Sequence, residues 1–65
     1  MITKPNLGDS VIIKKDIKYP NGKVFSNVEG KIISFHNKPD HVCVKPKFQK
    51  FFEVCSLDEL DRTNS

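Results

Sequence analysis

The sequence lacks the features that would mark it as a membrane protein or a secreted protein. No apolar run approaches the roughly 20 residues needed to span a bilayer, and the first residues contain no apolar signal core. At 65 residues, the chain is near the lower limit for a domain that folds on its own and has little room for a deep substrate cleft. We therefore expect a cytoplasmic protein without membrane contact.

Motifs that carry chemistry are also missing. The sequence offers no Ser-His-Asp order, no carboxylate pair in an evident pocket and no glycine-rich phosphate loop. The sequence identifies no catalytic partner for either of its two histidines, His36 and His41. It therefore predicts a protein that is not an enzyme, with no catalytic residue, no cofactor and no small-molecule substrate.

A metal or redox site would have to use His36, His41, Cys43 and Cys55. The close Cys-x-x-Cys or His-x-x-x-His spacing of structural zinc sites is missing, so we expect no metal. In a chain without a secretory signal, two cysteines are more often free thiols than a disulfide. A reversible disulfide between Cys43 and Cys55 stays open as the alternative.

Arginine is nearly absent. The chain has 11 basic and 8 acidic residues and a net charge of +3, but Arg62 is its single arginine, so bidentate recognition of guanine or phosphate is poorly supplied. The charge tolerates a nucleic acid or an acidic protein as partner without requiring either. The bias toward Lys, Ile and Asn is typical of an AT-rich genome, which suggests a phage or bacterial origin.

What the chain does contain is a series of short β patterns. Alternating apolar residues and turn residues predict strands over 11–14, 28–35, 41–45 and 51–55, followed by an edge strand from residue 61. Gly30 lies inside the second pattern, where a strand of a small barrel must bend or let another backbone come close. We expect a flexible arm over residues 1–6, a barrel over 7–61 and a frayed tail over 62–65.

The third and fourth strands predict a hairpin centred on Gln49. The register that places apolar residues together pairs Val44 with Val54, Lys45 with Glu53, and Cys43 with Cys55. A slip by one residue would set Val44 opposite Glu53, so we expect that register to be disfavoured. A shift by two residues stays open.

A long excursion over residues 16–27 has strong turn chemistry at its centre. Pro20 presets φ for the first corner, and Asn21 or Gly22 can adopt the positive φ of the second. Tyr19 and Phe25 flank the turn, where their rings can touch and stiffen the loop. We expect a protruding, hairpin-like loop whose two rings either pin it to the barrel or contact a partner.

Residues 56–60 predict a single helical turn. Ser56 and Glu59 have the spacing of a capping box, and Leu57 and Leu60 are three residues apart. We expect a turn of 3₁₀ or α helix whose leucines close one end of the barrel.

Four short motifs resemble those of the SH3-like small barrels. They are Gly8-Asp9-Ser10-Val11, Glu29-Gly30-Lys31-Ile32, Val42-Cys43-Val44 and Asp58-Glu59-Leu60. In these motifs the chain resembles KOW-type domains and the variable chain of ferredoxin-thioredoxin reductase. The resemblance covers residues 7–61 and implies an all-β, five-stranded barrel with a short 3₁₀ turn near its C-terminus. These motifs specify turns and bends, not chemistry.

Barrels of that kind commonly bind RNA, DNA or another protein through the long first loop. The resemblance would place Lys15, Lys18, Tyr19, Lys23 and Phe25 at the binding edge. Aromatic rings among lysines are also what single-strand binding uses, because rings stack on bases and lysines neutralise phosphates. The residues that fit this pattern are Lys14, Lys15, Lys18, Tyr19, Lys23, Phe25, Lys45, Lys47, Phe48, Lys50 and Phe51.

We therefore expect a small, monomeric, regulatory or accessory module that contacts RNA, DNA or a protein of a nucleic-acid-handling complex. The contact surface would be the first loop together with the turn over residues 46–51. The alternative is a protein–protein adaptor, or an accessory subunit of an enzyme complex, with no nucleic-acid contact. On that alternative the lysines form an ordinary solvated face.

Overall fold

The computed structural model describes residues 2–63, and its regular structure is almost entirely β. The strands are β1 (Ser10–Ile13), β2 (Ile17–Lys18), β3 (Val24–Phe25), β4 (Val28–Phe35), β5 (His41–Pro46), β6 (Glu53–Ser56) and β7 (Leu60–Arg62). A single 3₁₀ turn, Leu57–Glu59, joins β6 to β7. No helix in this part of the chain is long and apolar enough to cross a membrane.

Five strands form one curled, antiparallel sheet in the order β6-β5-β4-β1-β7, and β2 pairs with β3 in a separate hairpin arm. The curl makes a half-barrel, which confirms the predicted small all-β barrel. β4 has the predicted bounds and is the central strand. It carries a bulge at Ile33, where the pairing with β5 shifts by one residue, and such a bulge bends the strand.

The core lies on the concave side of the sheet. In β1, Val11 and Ile13 are fully buried while Ile12 is only partly covered, as the alternation predicts. The residues of this core are Ile2, Val11, Ile13, Ile17, Ile32, Val42, Val44, Cys55 and Leu60. Leu60 closes one end of the barrel beside the half-buried Leu57, and Glu59 accepts a hydrogen bond from the Ser56 backbone N–H (3.0 Å). The capping interaction predicted for this turn is therefore present.

The predicted register of the β5–β6 hairpin is wrong by one residue. Val44 pairs with Glu53, and Cys43 pairs with Val54. The sequence disfavours this register because it sets Val44 opposite Glu53. A carboxylate that is partly covered needs a polar partner. The intervening loop supplies one, because Gln49 Nε2 donates to Glu53 Oε1 (2.9 Å) and removes most of the penalty of covering that carboxylate.

Both ends of the described chain contact the barrel, in the segments for which the sequence predicts a flexible arm and a frayed tail. Ile2 is only 2% exposed and its N–H donates to the Leu57 carbonyl (3.2 Å). Arg62 belongs to β7, and its guanidinium binds Asp9 (3.1 Å) and the Lys4 carbonyl. The prediction for residues 1–6 rests on their largely polar composition, and Ile2 is the residue of this segment that the core takes up. Residues 1, 64 and 65, also included in those predictions, lie outside the described range.

Gly30 is the point of closest approach between β4 and β5. A Cβ atom on this residue would lie 2.8 Å from the Lys45 carbonyl oxygen and 2.8 Å from Val44 Cγ1. Backbone cannot retreat there without breaking the pairing of Gly30 with Pro46. Of the two alternatives that the sequence predicts for this glycine, a bend or the close approach of another backbone, the structure shows the close approach.

Replacing Gly30 with alanine should lower the free energy of unfolding by about 1–3 kcal/mol, because the added methyl group overpacks a fixed backbone contact. Urea denaturation followed by circular dichroism measures the change. Ser34→Ala, at an exposed position of the same strand, is the matched control and should change stability little. Equal midpoints for Gly30→Ala and the wild type would show that β5 can move away at no cost.

Candidate binding groove

The first loop is an ordered hairpin arm built from β2 and β3. The Gly22 N–H donates to the Tyr19 carbonyl (2.9 Å), and the Tyr19 N–H donates to the Lys23 carbonyl (2.8 Å). Pro20 occupies the first corner of this turn, and Gly22 takes the positive φ, at 86°. At the base of the arm, Ser26 Oγ donates to Asp16 Oδ1 (2.6 Å), which ties its two ends together.

Two aromatic rings stiffen the arm. The ring centroids of Tyr19 and Phe25 are 5.1 Å apart with a tilt of 60°, a favourable aromatic geometry. The predicted contact across the turn is therefore confirmed. Tyr19 also packs against the core, whereas Phe25 is 44% exposed. The pair thus anchors the arm on one side and offers an aromatic surface on the other.

The second loop, residues 47–52, is shaped by Gln49. Its N–H donates to the Pro46 carbonyl (3.3 Å), and its Nε2 donates to the Phe51 carbonyl (3.0 Å) as well as to Glu53. The Gln49 amide thus lies on the inner side of the loop, and the aromatic rings of the loop lie on its outer side. Phe48 is 90% exposed and Phe51 is 76% exposed.

The two loops enclose a groove of about 580 Å³, here called the loop groove. Its lining residues are Tyr19, Phe25, Ser26, Asn27, Val28, Glu29, Lys47 and Phe48. Lys47 Nζ and Glu29 Oε2 form an ion pair 2.9 Å long beside three aromatic rings. The groove can therefore offer ring faces for stacking, an apolar wall at Val28, and charged groups of both signs.

The loop groove joins residues from both predicted contact segments. Tyr19 and Phe25 come from the first loop, and Lys47 and Phe48 come from the second. Three further predicted lysines and one aromatic ring are exposed on these same loops, outside the lining. They are Lys18, Lys23, Lys50 and Phe51.

The structure places the other predicted lysines elsewhere. Lys14 is ion-paired with Asp61 (3.0 Å). Lys15 donates from Nζ to the Val54 carbonyl on the β6 edge (2.8 Å), so it links the segment after β1 to β6. Lys45 lies on the convex face of the sheet, opposite Lys31 in register. A lysine count along the sequence could not separate these environments.

Four lining residues were missed by the sequence reading, and they are consecutive. Residues 26–29 carry the chain from the arm into β4, with Asn27 at a left-handed φ of 54°. Asparagine tolerates that conformation better than most residues, so the Ser-Asn pair before the Val-Glu-Gly strand was the available signal. The sequence pattern identifies Glu29 only as part of a strand motif.

A second concavity, of about 690 Å³, lies at the opposite end of β4. It is formed by the segment that includes Ile2, by the turn before β5 and by the 3₁₀ turn. Its lining contains no phenylalanine, tyrosine or lysine. It therefore lacks the residue types that marked the candidate surface in the sequence.

The cysteines and histidines do not assemble into one site. Val42 pairs with Cys55 and Cys43 pairs with Val54, which puts the two sulfurs on opposite faces of the sheet. Both thiols are free and buried, and the expected side-by-side placement of Cys43 and Cys55 is wrong. Among residues 2–63 there is no group of three or more side chains suited to holding a metal ion.

The environment of Cys55 suppresses its ionisation. Burial, as the largest cause, raises the pKa of the Cys55 thiol to about 11 from its ordinary 9.0. The charge on Lys15 acts in the opposite direction, and Glu59 and Glu53 add to the rise. Since the thiolate is the reactive form, this geometry favours a packing role for Cys55.

No family model matches the chain, and neither a curated protein nor a solved structure matches it.

The Cys55 thiol should make stability fall at alkaline pH. Because the folded pKa lies above the ordinary value, the unfolded chain loses this proton first, and its ionisation favours unfolding. This contribution is fully present below pH 9 and is lost as the pH rises to about 11. Urea midpoints of the wild type and of Cys55→Ala, measured across that window, should converge as the pH rises. A constant gap between them would contradict the assignment.

Proposed function

We propose that this protein is a small, non-catalytic module that binds single-stranded nucleic acid in the loop groove. The observation that carries the proposal is the convergence of Tyr19, Phe25 and Phe48 with Lys47 in one concavity. The resemblance to KOW-type barrels also supports nucleic-acid binding. So does the net positive charge of the chain.

Single strands suit the groove better than duplexes do. Base–aromatic stacking requires an unstacked base, and it tolerates any sequence because each base has a π face. Phe48 is 90% exposed, which is unusual for so apolar a side chain, and burying it against a base would remove that surface from water. The single arginine of the chain, Arg62, is bound to Asp9. No arginine is therefore left to form bidentate hydrogen bonds with base edges in a duplex groove.

Lysines on the rim would contact the phosphates. Lys18 and Lys23 are exposed on the arm, and Lys50 is exposed on the second loop. Lysine neutralises phosphate as a point charge without reading sequence. The proposed module therefore binds with little base preference and with an affinity that falls as salt rises.

Phe48→Ala should weaken binding of a short single-stranded oligonucleotide by about 5- to 150-fold, which corresponds to the roughly 1–3 kcal/mol of one stacked base. Fluorescence anisotropy at low salt measures the affinity. Phe35→Ala is the matched control, because Phe35 is also exposed and lies about 20 Å along β4 from the groove. Equal losses from both variants would remove stacking in the groove as the source of affinity.

Reversing two rim charges, Lys18→Glu with Lys50→Glu, should lower affinity by at least about tenfold at low salt, because phosphate contacts are lost and repulsion replaces them. The double variant Lys4→Glu with Lys38→Glu has the same net charge but lies away from the groove. An amide NMR titration of each labelled protein shows where the oligonucleotide binds. Equal weakening by the two double variants would mean that net charge alone, and not the rim, governs binding.

One observation favours the second candidate, a protein–protein adaptor without nucleic-acid contact. All five phenylalanines are exposed, and Phe35, Phe51 and Phe52 lie outside the groove lining. Rings that contact no base could cover a partner's apolar surface instead. A partner that stays bound after nuclease treatment, and that Phe51→Ala with Phe52→Ala releases, would support this candidate over the first.

A further inference from the structure

Two lysines on the convex face of the sheet occupy an unfavourable position. Lys31 of β4 and Lys45 of β5 are direct cross-strand partners, and both are exposed. Directly opposed residues in a sheet have Cβ atoms about 5 Å apart, and like charges placed there are destabilising. On the other side of Lys31 the register partner is Ser10, which brings no negative charge.

Neighbouring carboxylates do not relieve this repulsion. Glu29 and Asp61 lie on the same face of the sheet, since each is opposite Ile12 in register. Glu29 is ion-paired with Lys47, and Asp61 is ion-paired with Lys14. Within residues 2–63, neither Lys31 nor Lys45 has an ion pair or a side-chain hydrogen bond. This pair therefore has two unneutralised charges and no structural role that accounts for them.

The lysine pair lies next to the loop groove on the same two strands. Glu29 and Lys47 line the groove. Lys31 is two residues after Glu29 in β4, and Lys45 is two residues before Lys47, which directly follows β5 and whose N–H still donates to the Glu29 carbonyl (3.0 Å). A step of two residues in a strand is about 7 Å and keeps the same face. A strand of nucleic acid leaving the groove past Lys47 would therefore meet this pair next.

The geometry points to Lys31 and Lys45 as a phosphate-binding site that extends the loop groove along the convex face, for consecutive phosphates of the same single strand. This inference rests on the proposed function. The carboxylates nearest to this pair are bound to other lysines. A bound polyanion supplies negative charge beside Lys31 and Lys45 and so relieves the repulsion between them. The destabilising arrangement in the free protein becomes favourable in the complex.

The test compares Lys31→Gln with Lys45→Gln, combined in one variant, against Lys4→Gln with Lys38→Gln as the charge-matched control. A labelled 12-nucleotide oligothymidylate is titrated by anisotropy between about 0.05 and 0.5 M salt. Two lost phosphate contacts should reduce the slope of log affinity against log salt by about 1.4, which corresponds to roughly 25-fold weaker binding at 0.1 M salt. The control should leave the slope unchanged.

Stability of the free protein provides a second readout, which separates this site from an unfolding artefact. Lys31→Gln and Lys45→Gln should each raise the urea midpoint, and the double variant should gain less than the sum, because either substitution alone removes the same repulsion. A variant that is more stable and binds less tightly supports the site.

Several outcomes would overturn the inference. A slope that matches the control while Phe48→Ala still weakens binding would remove the lysine site and leave the groove in place. A urea midpoint that falls in both single variants would show that the lysines are not in repulsion. If the wild type binds no oligonucleotide at any salt, the proposed function fails and this site fails with it.

Discussion

The approach of β5 to β4 at Gly30 is the contact on which the rest of the barrel depends. A hydrogen on Gly30 leaves room for the Lys45 carbonyl, whereas a Cβ would lie 2.8 Å from it. Because the two backbones meet there, the sheet can curl tightly enough to bury Val44 and Ile32 on one side. The bulge at Ile33 adds bend to the same strand further along. A chain this short has few core residues, so curvature must supply the enclosure that a second sheet supplies in a larger protein.

The candidate groove follows from that curvature. Curling brings the arm that precedes β4 and the loop that follows β5 to the same end of the barrel, so residues far apart in sequence line one concavity. The hairpin arm of β2 and β3 is held in place because Tyr19 packs on the core and Ser26 Oγ donates to Asp16 at its base. The second loop is held by the Gln49 amide, whose bonds point inward. Preorganised loops lose less conformational freedom on binding than mobile ones, which favours the groove as a contact surface.

Local pattern sufficed where a residue's neighbours in sequence decide its structure. β4 was predicted with its observed bounds, the capping interaction of Ser56 and Glu59 is present, and Gly22 adopts the positive φ expected of the turn. It was insufficient where a contact outside the strand and turn patterns decides, whether that contact is near or far along the chain. The β5–β6 register depends on Gln49 reaching Glu53, and the docking of Ile2 depends on a carbonyl at Leu57. The sequence also does not distinguish lysines with a structural contact from exposed ones, because Lys15 Nζ donates to a carbonyl 39 residues away.

The protein's surface departs from what stability alone would select. A chain with a small core gains free energy by burying aromatic rings, yet all five of its phenylalanines are exposed and Phe48 is almost fully solvated. Stability would equally favour opposite charges at a cross-strand pair, yet Lys31 faces Lys45 while nearby carboxylates pair with other lysines. Phe48 lines the loop groove, and the pair of Lys31 and Lys45 lies next to it. A ligand with flat apolar faces and a repeating negative charge would reverse both penalties at once, and a single-stranded polynucleotide has those two properties.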